Sequence, residues 1–62
     1  MAKDILSKRE LEVLQLMSEG LNHKEAAAIL FVSLETVRKH IQNIYKKLNV
    51  KNKVSAINKM RK

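Results

Sequence analysis

A single glycine, Gly20, and no proline in 62 residues leave this chain little from which to make tight turns. The composition therefore favours helices over strands. It also lacks cysteine, which excludes disulfide staples and thiolate metal sites. The two histidines, His23 and His40, cannot make a structural zinc site alone, because such sites usually take four ligands. We expect no metal and no cofactor. The length suits one domain spanning 1–62. A domain near this size buries only about 60% of the surface that its unfolded chain exposes, so its core has to be efficient.

The helices can be placed from their caps and apolar spacing. "SKRE" from Ser7 is a capping box, in which the Ser7 hydroxyl accepts from the Glu10 N–H and the Glu10 carboxylate reaches back to Ser7. Val13, Leu14, Met17 and Leu21 form the buried side of this first helix, and Gly20 is suited to end it. Asn22 caps a short second helix, with Glu25 three residues on and Ala26, Ala27, Ile29 and Leu30 as apolar positions. "FVS" makes a turn and Ser33 caps the third helix, where Val37, Ile41, Ile44 and Leu48 form one apolar stripe. "NVKN" breaks that helix, and Val50 turns back to the core. A fourth helix carries Val54, Ala56, Ile57 and Met60 as its apolar positions. The expected fold is all-α, a four-helix helix-turn-helix bundle with helices at about 7–18, 23–30, 34–48 and 53–60 and a core within 6–60.

The net charge of +7 is unevenly spread. Residues 1–20 hold three cations against four anions, and residues 21–62 hold ten against two, so the first third carries −1 and the rest +8. This asymmetry points to a polyanionic partner, nucleic acid or an anionic membrane; the plainer reading is a solubilising surface. No apolar run approaches the ~18 residues needed to span a bilayer, and "MAKDILSK" has no signal-peptide core. A soluble, intracellular protein is the default.

In "SLETVRKHIQNIYKKL", the side of the third helix opposite the apolar stripe carries Glu35, Lys39, Gln42, Asn43 and Lys46. A helix fits the major groove of B-DNA, and its N-terminal half can touch base edges. The polar side then has a use as a reading face, with the surrounding cations on phosphates.

Residues 6–57 resemble the LuxR-type helix-turn-helix domain, the DNA-binding module of LuxR, NarL, FixJ and GerE-like bacterial regulators. The resemblance rests on "LSKRELEVL", the glycine at 20, "KE" at 24–25, "S..TV..H" at 33–40, "KL.V" at 47–50 and "SAI" at 55–57, in that order and spacing. It implies a third helix in the major groove and a fourth that often makes a dimer contact. Carried onto this chain, the base-reading positions are Arg38, Lys39 and Gln42, with Glu35 at the edge. The chemistry agrees: Arg and Lys suit guanine, Gln suits adenine and Glu accepts from cytosine. Phosphate contacts would fall to Asn22, His23 and Lys24, where helix-start N–H groups favour an anion, and to Ser33, Thr36, His40, Asn43 and Lys46. Val54, Ser55 and Asn58 are either a dimer seam or plain surface. The chain departs from the family's pattern at His23, where Asn is common, at Ala26, where Ile is common, and at Lys53, where Arg is common and a bidentate pairing would be lost.

The implied function is sequence-specific binding of double-stranded DNA for transcription regulation, as a homodimer on an inverted repeat in the bacterial cytoplasm. The resemblance leaves room for a contact with RNA polymerase. Family members usually carry an N-terminal signal-sensing domain; we expect this chain to be an output domain cut free of one. The competing reading is a basic amphipathic module on a membrane surface or a protein partner, using the third helix and "KVSAINKMRK". A membrane helix would leave its stripe open and usually carries Trp or several Phe; this chain has no Trp and one Phe. No glycine-rich phosphate loop, nucleophile elbow or paired carboxylates suggest an enzyme. Lys46 and Lys47 read equally as surface charge, and His40 as a packing or phosphate residue. Tyr45 reads as packed with its hydroxyl at the rim, and Phe31 as either an exposed contact or a plug over the core.

Overall fold

The computed structural model describes residues 5–61. The "MAKD" start and Lys62, with the readings that rest on them, lie outside the described residues. Four helices make up the fold: α1 (Lys8–Ser18), α2 (His23–Leu30), α3 (Leu34–Leu48) and α4 (Lys53–Arg61). No strand occurs among the described residues.

Each start follows from a side chain. The capping boxes form at both Ser7/Glu10 and Asn22/Glu25, with side-chain and backbone bonds in both directions. Ser33 accepts from the Thr36 N–H at 3.1 Å. Asn52 does the same for α4, accepting from the Ser55 N–H at 2.8 Å, so "NVKN" starts a helix as well as ending one.

The ends of α1, α2 and α3 share one motif. The N–H groups of Leu21, Val32 and Val50 reach back five residues to Leu16, Ala27 and Tyr45, and those of Gly20, Phe31 and Asn49 reach back three. This pattern places one residue in a left-handed conformation after each helix. The three residues there are Gly20 (φ 93°), Phe31 (φ 58°) and Asn49 (φ 55°). Glycine and asparagine suit the position; phenylalanine does not.

α3 packs on α1, α2 and α4, and α1 also touches α2 and α4. The core gathers Leu6, Val13, Leu14 and Met17 from the α1 side, Ala26 and Ala27 from α2, Val37, Ile41, Ile44 and Leu48 from α3, and Ala56 from α4. The alanines let α2 lie close to its neighbours. Val50 does turn back and pack on this core, as do Leu30, Tyr45, Ile57 and Met60. The apolar stripe of α3 is thereby used up inside the bundle, which removes the open stripe that the amphipathic membrane reading needs. No helix of the described residues is long and apolar enough to cross a membrane.

Two apolar residues depart from expectation, and a third, Phe31, takes one of its two readings. Ile29 is 50% exposed and Val54 64%, so neither is a core position. An eight-residue helix covered mainly along one side buries Ala26 and Ala27 and leaves Ile29 on the flank. Phe31 is 94% exposed, which rules out a plug over the core. Its ring gains nothing from burial while its backbone carries a left-handed strain of roughly 1–2 kcal/mol. Phe31→Gly should therefore stabilise the domain by about 0.5–1 kcal/mol, after subtracting the greater entropy of glycine in the unfolded chain. Urea denaturation tests this; a loss of stability would mean that the ring makes a contact within the fold.

Candidate nucleic-acid interface

On α3, Glu35, Arg38, Lys39, Gln42 and Lys46 are all exposed. Their spacing puts them on one side of the helix, opposite the buried Val37, Ile41, Ile44 and Leu48. From Glu35 to Lys46 the row runs about 16 Å along the axis. Among the described residues, the ion pairs are Arg9–Glu12 and Lys47–Glu10, so Arg38, Lys39 and Lys46 remain available to an outside anion. Thr36, His40 and Asn43 are half-buried along the margins of the row.

The two hydroxyls at the start of α3 are coupled. Ser33 Oγ lies 2.8 Å from Thr36 Oγ1 and already accepts the Thr36 N–H. One hydroxyl donates to the other, so a single proton is left for a phosphate. Either Ser33 or Thr36 can donate outward, but not both.

The start of α2 offers more. Asn22 Oδ1 is used on the Glu25 N–H, which leaves the amide NH2 of Asn22 to donate. The N–H groups of His23 and Lys24 fall in the first helical turn, where no carbonyl of the helix can reach them. Asn22 and Lys24 are exposed and His23 is half-buried. The Glu25 carboxylate stands at the same end, turned back onto the Asn22 N–H at 2.9 Å.

Lys47 departs from the surface-charge reading. Its Nζ lies 2.8 Å from Glu10 Oε1, a contact between residues 37 apart in sequence. The same oxygen accepts the Ser7 N–H at 2.8 Å. Burial opposes ionisation of Glu10, but the Lys47 ammonium and the Ser7 N–H outweigh it and hold the carboxyl below its ordinary range. The end of α3 is thus tied to the start of α1. Lys59 ties it to α4 by donating to the Leu48 carbonyl at 3.0 Å.

On α4, Val54 and Asn58 are exposed and Ser55 is half-buried. A surface groove of about 540 Å³ lies between α1, α2 and Met60 and has no α3 side chain in its wall. No group of acidic, histidine or cysteine side chains suited to a metal occurs among the described residues.

A family model described as bacterial regulatory proteins, luxR family, matches residues 4–60. The chain belongs to this family. The luxR family is one of DNA-binding helix-turn-helix domains in transcription regulators, and this chain is such a domain, of the kind found as the output domain of response regulators. It is 44% identical over 52 residues to the nitrate/nitrite response regulator protein NarP of Escherichia coli (strain K12), covering 84% of this chain and 24% of that protein. It is 55% identical over 49 residues to the oxygen regulatory protein NreC of Staphylococcus carnosus (strain TM300), covering 79% and 23%. Among solved structures, the response regulator ChrA of a heme-sensing two-component system superposes with a TM-score of 0.86 at 46% identity, covering 90% of this chain and 28% of that one. The luxR-family chain described here thus spans about a quarter of the length of these relatives. The all-α, four-helix expectation agrees with this fold.

Proposed function

We propose that this luxR-family domain, a single unit over 1–62, reads double-stranded DNA by laying α3 in the major groove. The observation that carries the proposal is the row Glu35, Arg38, Lys39, Gln42 and Lys46. It is exposed along its length, its cations are unpaired among the described residues, and a fully packed stripe holds it from behind. Arg38, Lys39, Gln42 and Glu35 contact base edges. Asn22, His23 and Lys24 at the start of α2, with Ser33 or Thr36, His40, Asn43 and Lys46 on α3, hold phosphates and set the register. The cations release counterions on binding, which gives affinity and a steep salt dependence. Two copies meet through Val54, Ser55 and Asn58 and read an inverted repeat, with half-sites about one helical turn apart or a multiple of it. In a longer regulator, a sensing domain would govern this docking, and the bound domain would offer a surface to RNA polymerase.

The test is a binding selection from a random duplex library at moderate salt. Enrichment of two inverted half-sites is the expected result. Binding without enrichment would mean that the charge grips DNA without reading it. On the best site, Gln42→Ala should cost roughly 1–3 kcal/mol and change the preference at one base pair. An equal loss on every sequence would contradict its reading role. Lys46→Ala should weaken binding to all sequences and lower the salt slope by about one; an unchanged slope would take Lys46 off the phosphate list.

A further inference from the structure

A second cleft, about 320 Å³, opens where α2 begins, α3 passes and α4 begins. Its walls are Met17, Asn22, His23, Tyr45 and Lys53. Four of these five side chains are polar, and none is a carboxylate. Lys53 is exposed, and the lysines that do find partners within the described residues are Lys47 and Lys59. Tyr45 is half-buried, packed against the core and lining the cleft, and its hydroxyl has no hydrogen-bond partner among the described residues. Burial raises the phenol above its ordinary value, so the hydroxyl keeps its proton and stays a donor. Asn22 and His23, at the start of α2, also line the cleft and carry a side-chain amide and an imidazole. The nearest acid of that helix end, Glu25, bonds back to Asn22 and does not line the cleft. A cavity walled by a cation, a phenol, an amide and an imidazole, with no anion of its own, suits a tetrahedral oxyanion.

We propose that this cleft seats one backbone phosphate of the DNA duplex, with Lys53 as its cation and Tyr45 as a hydroxyl donor; the proposal rests on the docking of α3 argued above. The seat draws on α2, α3 and α4 together, so the phosphate it holds fixes the angle of α3 in the groove. Neither Lys53 nor Tyr45 lies on the exposed row of α3. Their role is positioning, and it carries no base preference.

The experiment measures the affinity of the whole chain for a mixed-sequence duplex at a series of salt concentrations. Lys53→Gln should lower the salt slope by about one. Lys51→Gln removes the same charge two residues earlier, outside the cleft, and should leave the slope unchanged. Tyr45→Phe should keep the slope and weaken binding roughly tenfold, the worth of a hydrogen bond to a charged group. Thermal unfolding of each variant confirms that it is folded. If Lys53→Gln and Lys51→Gln give the same slope, the seat is overturned while DNA docking stands. If the unaltered chain binds no duplex at all, the docking reading fails and takes the seat with it. Inorganic phosphate is the second probe. If it shifts the His23 and Tyr45 resonances strongly, and neither variant alters duplex binding, the cleft is a free-anion site and the proposal is wrong.

Discussion

Ile44→Ala should cost about 2–5 kcal/mol of stability and abolish DNA binding near the physiological temperature without touching the exposed row of α3. Ile44 is fully buried in the middle of the α3 stripe. Truncating it loses the transfer free energy of the deleted atoms and leaves a cavity between α3 and its neighbours. A chain this short has a total stability on the order of 3–9 kcal/mol, so the loss is a large share of the whole. The unfolding midpoint should drop by roughly 10 °C or more. α3 would not survive alone, because a 15-residue helix is marginal in water and is held here by packing. Binding should therefore return on cooling below the new midpoint, with the original base preference. If Ile44→Ala stays folded at the original midpoint and still loses binding, the side chain acts at the DNA and the assignment of faces on α3 is reversed.

What made the fold legible was local chemistry. Ser7 with Glu10, Asn22 with Glu25, and Ser33 each signal a helix start within four residues, and the α3 stripe declares its buried side by spacing alone. What was missed depends on distance or on backbone. Lys47 meets Glu10 across 37 residues, and nothing near either one announces the other. Phe31 takes a left-handed conformation that its side chain does not favour, because the bonds from Phe31 and Val32 back to α2 require it there. Asn52 did carry a signal, an amide just before an apolar pattern, but it reads equally as a breaker. Ile29 looked like core because spacing gives a periodicity and not the width of the covered face. The exposed row of α3 was legible as the complement of the stripe. The cleft at Tyr45 and Lys53 was not, since its walls are remote in sequence and meet only once the helices pack.

Glu10→Gln should remove a pH dependence that Glu10 gives the unaltered chain. Only 4% of Glu10 is exposed, and its Oε1 accepts from both Lys47 and Ser7. A carboxyl held below its ordinary value in the folded state gives stability that is fully present above the unfolded value. That stability drains away from about pH 5 downward, as the folded group takes up a proton. The amide keeps the shape and can still accept the Ser7 N–H, but it cannot hold the charge of Lys47. At neutral pH we expect a loss of about 1–2 kcal/mol, less than the full penalty for a broken buried pair, because the Lys47 ammonium is 40% exposed and can turn to water. Glu10→Ala also removes half of the capping box and should cost about 1 kcal/mol more. Denaturation midpoints across pH 4–7 separate the two contributions: the unaltered chain loses stability toward the acid end, and Glu10→Gln loses less over the same window. If both curves fall in parallel, the Glu10–Lys47 contact is not an ion pair of consequence, and the tie between α1 and the end of α3 is packing alone.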